Sequence, residues 1–159
     1  MKQIFLSIQN QLQTAVPTLE YIDKDWGQLK YDQSPIKWPC ALIDIENVTY
    51  SQMGRGYQKA EADITITIGN VNHIRSSAMA PNKANSYKTI ELLETVYQAL
   101  QLFSSGQHFQ PLQRTNLRKV FSDKGAEIYA MTYKTAYVVE KQTAAQTAVN
   151  VQPSITIEN

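Results

Sequence analysis

Residues 60–68 alternate apolar and polar at every step, with Ala60, Ala62, Ile64, Ile66 and Ile68 set against Glu61, Asp63, Thr65 and Thr67. A period of two is the signature of a β-strand with one dry face, so the isoleucines need a covering layer and the acids and threonines face water or a neighbouring subunit. The preceding segment, 41–50, also reads as a strand but less regularly. Strict alternation groups Leu42 and Val48 with Asp44 and Glu46, and sends Ile43 and Ile45 the other way. Between the two strands lies Gly54-Arg55-Gly56, whose glycines accept positive φ and predict a hairpin with a long connection, 51–59, projecting from the sheet.

Two stretches carry helical spacing instead. Ile4, Phe5, Ile8, Leu12 and Ala15 fall on one face over 3–15, and Pro17 forbids continuation. Over 87–103 the apolar positions are Ile90, Leu93, Val96, Tyr97, Leu100 and Phe103, with Asn85 or Ser86 as the expected N-cap and Ser104-Ser105-Gly106 as the stop. The scattered apolar residues of 19–29 predict a short strand or irregular loop, and Pro35 and Pro39 around Trp38 predict a bent lead-in to the strand at 41. A closing hairpin follows. Its first strand, 111–121, puts Leu112, Arg114, Asn116, Arg118 and Val120 opposite Leu117 and Phe121, and Ser122 to Gly125 forms the turn. The return strand, 126–139, sets Tyr129, Met131, Tyr133, Tyr137 and Val139 against Ile128, Ala130, Ala136 and Val138. From residue 140 the chain is rich in Gln, Thr and Ala, and Ile155 and Ile157 stand out among polar neighbours. Such a segment buries too little to order alone and reads as a flexible or borrowed arm.

The expected fold is therefore α+β: a mainly antiparallel sheet of four to five strands packed by two helices, one domain over 1–139, and a polar arm over 140–159. Composition narrows the function by exclusion. The 159 residues, 43% hydrophobic and 18% charged, fit one domain. Fifteen basic against fourteen acidic residues leave a net charge of +1, so no global field attracts nucleic acid or an anionic membrane. No apolar run approaches the roughly 20 residues of a membrane span, and the first residues lack a signal-peptide pattern. The single cysteine, Cys40, cannot form an internal disulfide, and beside an apolar strand it reads as a small buried hydrophobe.

The candidate chemistry is thin. His73 and His108 have no Cys, Asp or Glu at ligand spacing, and no Gly-x-Ser-x-Gly elbow, dinucleotide fingerprint or Walker sequence occurs. Asp44, Glu46, Glu61 and Asp63 would lie near one another if their strands pair, which admits a metal-binding or acid-base domain. A solvated sheet face or a charged subunit contact is the favoured reading, because Thr65 and Thr67 continue the face without adding a ligand. Arg114, Arg118, Lys119 and Lys134 beside Tyr129 and Tyr133 admit a single-stranded nucleic-acid platform, against which stands the simpler role of keeping a strand edge soluble. Catalytic residues, metal ligands and cofactors are not expected.

The order of elements, carried by Ile4 to Leu12, Trp38-Pro39-Cys40-Ala41-Leu42-Ile43, Ala62 to Ile68, Ile90 to Phe103 and Ala126 to Val139, resembles the tail terminator, or tail completion, proteins of long-tailed bacteriophages. The resemblance covers about residues 3–139 and rests on pattern, not on a diagnostic motif. It implies a non-enzymatic, hexameric ring that caps the tail tube, binds the tail tube protein and the head-tail connector, and resides in the virion tail after assembly in the host cytoplasm. Ring contacts need two unlike surfaces per subunit. Under this reading Arg55, Tyr57 and Arg75 in the connections, with Glu61 and Asp63 on the polar face, are the candidate subunit or tube contacts. A head-tail connector, a tail tube subunit, or a small ligand-binding domain or enzyme using the four carboxylates are the alternatives.

Overall fold

The computed structural model describes residues 1–31, 35–72, 77, 79–81, 83–106, 108–120 and 126–140. The expected α+β architecture is present. Helix α1 spans Lys2–Ala15 and α2 spans Lys88–Leu100, and the strands are β1 (Tyr21–Lys24), β2 (Cys40–Gly54), β3 (Tyr57–Val71), β4 (Gln113–Val120) and β5 (Ala126–Glu140). They form one sheet in the order β1-β2-β3-β5-β4, antiparallel except for the parallel β1–β2 pair.

The isoleucines of β3 decide where the core lies. Ile64, Ile66 and Ile68 are fully buried, together with Ile43 of β2 and Met131 and Tyr133 of β5. Ile4, Ile8 and Leu12 of α1 and Leu92, Leu93, Val96 and Leu100 of α2 complete the same cluster. Burying each such aliphatic side chain contributes about 1.5–3 kcal/mol, so this one face supplies most of the drive to fold. Helix α1 departs from expectation at its end, where Val16 is buried and Ala15 is exposed. In α2 the predicted core residue Ile90 is 41% exposed, and Thr89 and Leu92 take the buried places.

The second face is not uniformly wet. Ile36, Cys40 and Leu42 form a smaller cluster with Tyr21, Leu29 and Trp38 packed against it. Trp38 lies over Gly69, where an added β-carbon would run into its ring. Gln28, fully buried, ties the covering segment together: its side-chain amide donates to the Lys24 carbonyl and its oxygen accepts from the Trp26 N–H. Thr65, expected to face water or a neighbouring subunit, is 5% exposed, and its hydroxyl is buried without a hydrogen-bond partner among the described residues.

Local irregularities explain the other differences. A β-bulge between Ile45 and Asn47 leaves Glu46 without a cross-strand partner and reverses the alternation, so Val48 joins Ile43 and Ile45 against the main core. A second bulge between Arg114 and Asn116 moves Arg114 to the side of Leu117. Helix α2 is preceded by a 3-10 turn, Lys83–Tyr87, with Tyr87 at the N-cap and no side-chain cap; the Ser86 hydroxyl donates to the Lys83 carbonyl instead. The helix stops before the expected glycine. Leu102 takes a left-handed φ of 61°, and its N–H donates to the Leu112 carbonyl. The expected turn at 122–125 and Phe121 lie outside the described residues, as do 141–159 of the expected arm.

Candidate functional site

The long strands outrun their helices. Strands β2, β3 and β5 each contain 15 residues, and β3 pairs with β5 along its whole length, from Tyr57 opposite Glu140 to Val71 opposite Ala126. Residues 49–57 are exposed without interruption, so β2 and the start of β3 form a bare ribbon at this end, beside which Tyr137 and Val139 of β5 still reach the main core. The expected long connection 51–59 is strand, closed by a two-residue turn: Arg55 at φ 50° and Gly56 at φ 84°. Positive φ at both central positions matches the twist of the flanking strands. Arg55 therefore stands at the tip of the ribbon, where the sequence reading expected a contact residue.

Several apolar side chains are left uncovered there: Tyr50 (49% exposed), Met53 (60%), Tyr57 (39%) and Val138 (58%). The Tyr57 hydroxyl donates to Glu140 Oε1 at 2.9 Å, and that bond to a carboxylate raises the phenol above its ordinary pKa. Tyr137 sits in register with Ala60, which is in register with Tyr50. Burial pushes the Tyr137 phenol up to about 12, with the neighbouring Tyr50 phenol adding to the rise. The Tyr137 hydroxyl is buried beside the Tyr50 phenol.

On the face that carries Tyr57 and Val138, away from Tyr50 and Tyr137, a shallow groove of about 390 Å³ is lined by Asn47, Thr49, Glu61, Asp63, Gln113 and Lys134, among others. Glu61 is held by Lys59 at 2.6 Å, which lowers its pKa, and Asp63 lies 3.9 Å from Lys134. Asp44 is in register with Thr65 and accepts from the N–H of Ile45, while Glu46 occupies the bulge. Glu61, Asp63 and Asp44 thus each have a different partner, and Glu46 stands apart in the bulge. Among the described residues no group of three or more His, Cys, Asp or Glu side chains is arranged to hold a metal. Cys40 is fully buried, and burial pushes its thiol up to about 12, which leaves no thiolate at neutral pH.

The basic and aromatic residues of the closing hairpin are likewise dispersed. Arg114 stacks 3.9 Å over the Tyr97 ring, Lys119 lies 5.7 Å from the Tyr129 ring, and Arg118 points to the other face of the sheet. Tyr133 is fully buried and offers no ring to stack on. Arg75 and His73 lie outside the described residues; His108 is exposed in a loop. The exposed tyrosine and methionine of the ribbon, Tyr50 and Met53, were not singled out from sequence, since only the length of the paired strands shows that no described residue covers them. No helix among the described residues is long and apolar enough to cross a membrane.

No family model matches the sequence, and no match was found among curated proteins. Among solved structures, a chain from the virion of a native gene transfer agent (GTA) particle superposes with a TM-score of 0.55 at 13% identity, over 84% of this chain and 92% of that one. The likeness is one of fold. It spans nearly the whole of the virion chain and most of this one, so it is not confined to a local motif.

Proposed function

We propose that this chain is a structural protein of a phage-like virion and, within that class, a tail terminator. Copies form a ring on the last ring of the tail tube, stop its growth and present a surface to the head connector. The observation that carries this reading is the fold shared with a virion chain across 92% of that chain's length. The bare ribbon supports it: an extended, partly apolar surface at one end of a well-packed domain suits contact with other proteins better than turnover of a small substrate. The groove carboxylates support it as well, because Glu61 and Asp63 face lysines of the same sheet.

Arg55 and Tyr57 at the ribbon tip, Arg75, and Glu61 and Asp63 on the polar face are the contacts to test. The experiment is light scattering coupled to size exclusion at several concentrations, followed by cosedimentation with purified tail tubes. Capping of tube ends by a ring is the expected result. A chain that stays monomeric and fails to bind tubes contradicts the proposal, and a chain that polymerises into long stacks reassigns it to a tube subunit.

A further inference from the structure

The sheet ends at β4, and β4 is exposed along nearly its whole length. Among the described residues its outer edge pairs with no other strand, and at its start the Arg114 N–H donates to Gln101 Oε1. Beside it, between α2 and the sheet, runs a groove of about 820 Å³ lined by Ile90, Leu93, Tyr97, Leu117 and Tyr129, among others. Ile90 and Leu117 remain 41% and 44% exposed. An unpaired strand beside an unfilled apolar groove is the arrangement to which an extended segment adds: backbone bonds form along the edge, and alternate side chains fill the groove.

The same chain contains such a segment. From 149 to 157 the apolar residues Val149, Val151, Ile155 and Ile157, with Pro153, occupy every odd position, and Asn150, Gln152, Ser154 and Thr156 occupy the even ones. This is the alternation of β3 in a second place. The N–H groups of odd residues point to one edge of such a strand, so Pro153, which has none, fits if that edge faces away from β4. The groove carries both signs, Arg114 on β4 and Glu91 and Glu94 on α2, which suits the uncharged stretch 149–157.

We propose that residues 149–157 of one copy add as a sixth strand to β4 of a neighbouring copy, with their odd side chains under α2. The inference rests on the proposed association of copies but not on the number in the ring. A neighbour is favoured over the same chain by reach. Glu140 lies six residues beyond Lys134, the partner of Gln113, or about 20 Å past the start of β4. Residues 141–148 extend at most about 28 Å, and within one chain they would have to reverse, pass the segment whose Gln110 bonds β5 at Thr135 and Ala136, and land beyond β4. That path would also make the added strand parallel to β4, the slightly weaker pairing.

Disulfide trapping in the full chain tests this. Leu117→Cys protein is mixed with single-cysteine variants at each position from 149 to 157, and buried Cys40 does not compete. Odd positions are expected to give intermolecular disulfides about ten-fold more efficiently than even ones, because only side chains on one face approach closely enough. Lys24→Cys on β1, the opposite edge strand, is expected to give no such alternation. A flat profile, equal trapping at Lys24→Cys, or, in the Leu117→Cys/Ile155→Cys double variant, a disulfide formed only within one chain overturns the inference. Light scattering on the same samples keeps the two proposals apart: rings without alternating disulfides overturn the arm's role alone, whereas monomers that ignore tail tubes overturn both.

Discussion

Strands β2, β3 and β5 are the same three strands at either end, yet one end is covered by α1 and α2 and the other is bare. At the covered end Ile43, Ile66 and Met131 lie in register with no solvent access. At the bare end Gln52 pairs with Gln58, which pairs with Val139, and Tyr50, Met53 and Tyr57 stay in contact with water. Strand pairing runs through both, with one register shift in β2 at Glu46 and another at Met53, so the ladder itself does not distinguish them. What differs is the partner layer. The covered half has what it needs within the chain, whereas the bare half offers apolar surface that no described residue buries.

Substitutions that separate the two halves follow from this contrast. The largest effect is expected at the centre of the covered half: Ile66→Ala should lower stability by about 2–5 kcal/mol through lost burial and a cavity, measured by urea unfolding. On the back of the sheet, Gly69→Ala should cost about 1–3 kcal/mol by forcing Trp38 off its site, with a change in Trp fluorescence. A gain should come from Thr65→Val. It removes a buried hydroxyl that has no hydrogen-bond partner among the described residues, and stability should rise by up to about 1–3 kcal/mol. In the bare half, Met53→Ala should change stability by less than about 0.5 kcal/mol; a loss comparable to Ile66→Ala would mean the two ends are one packed unit.

Alkaline pH gives a further division. Cys40 and Tyr137 are raised to about 12 from 9.0 and 10.0, and Tyr133 is raised as well, all chiefly by burial. The unfolded chain therefore releases these protons first, so their contribution is complete below about pH 9 and is lost progressively as pH rises toward 12. The melting temperature should fall across that window, and Cys40→Ala should flatten the onset near pH 9.

Much of this contrast was legible in the sequence only at the covered end. The alternation over 60–68 named Ile64, Ile66 and Ile68 correctly, and the spacing of Ile4, Ile8, Leu12, Leu93, Val96 and Leu100 placed the covering faces. What pattern missed was geometric. A one-residue bulge at Glu46 turned Val48 inward, and the cover of Ile36, Leu29 and Trp38 closed over part of a face that alternation marked as wet. The ribbon was misread as a long loop because Ser51, Gln52 and Gln58 lack the apolar rhythm of a strand with a dry face. A strand uncovered on both sides has no such rhythm to show. The candidate contacts Arg55, Tyr57, Glu61 and Asp63 were readable as residues, but their places, at the tip and along the polar groove, required the register of the strands.

The most direct test of the account is whether folding and assembly separate along the ribbon. A Tyr50→Ala/Met53→Asp variant should unfold at the wild-type temperature and lose at least about ten-fold in cosedimentation with purified tail tubes or in ring formation, since apolar contact residues carry binding without supporting the fold. Wild-type assembly by a stably folded variant would contradict the assignment of the bare ribbon as the working surface.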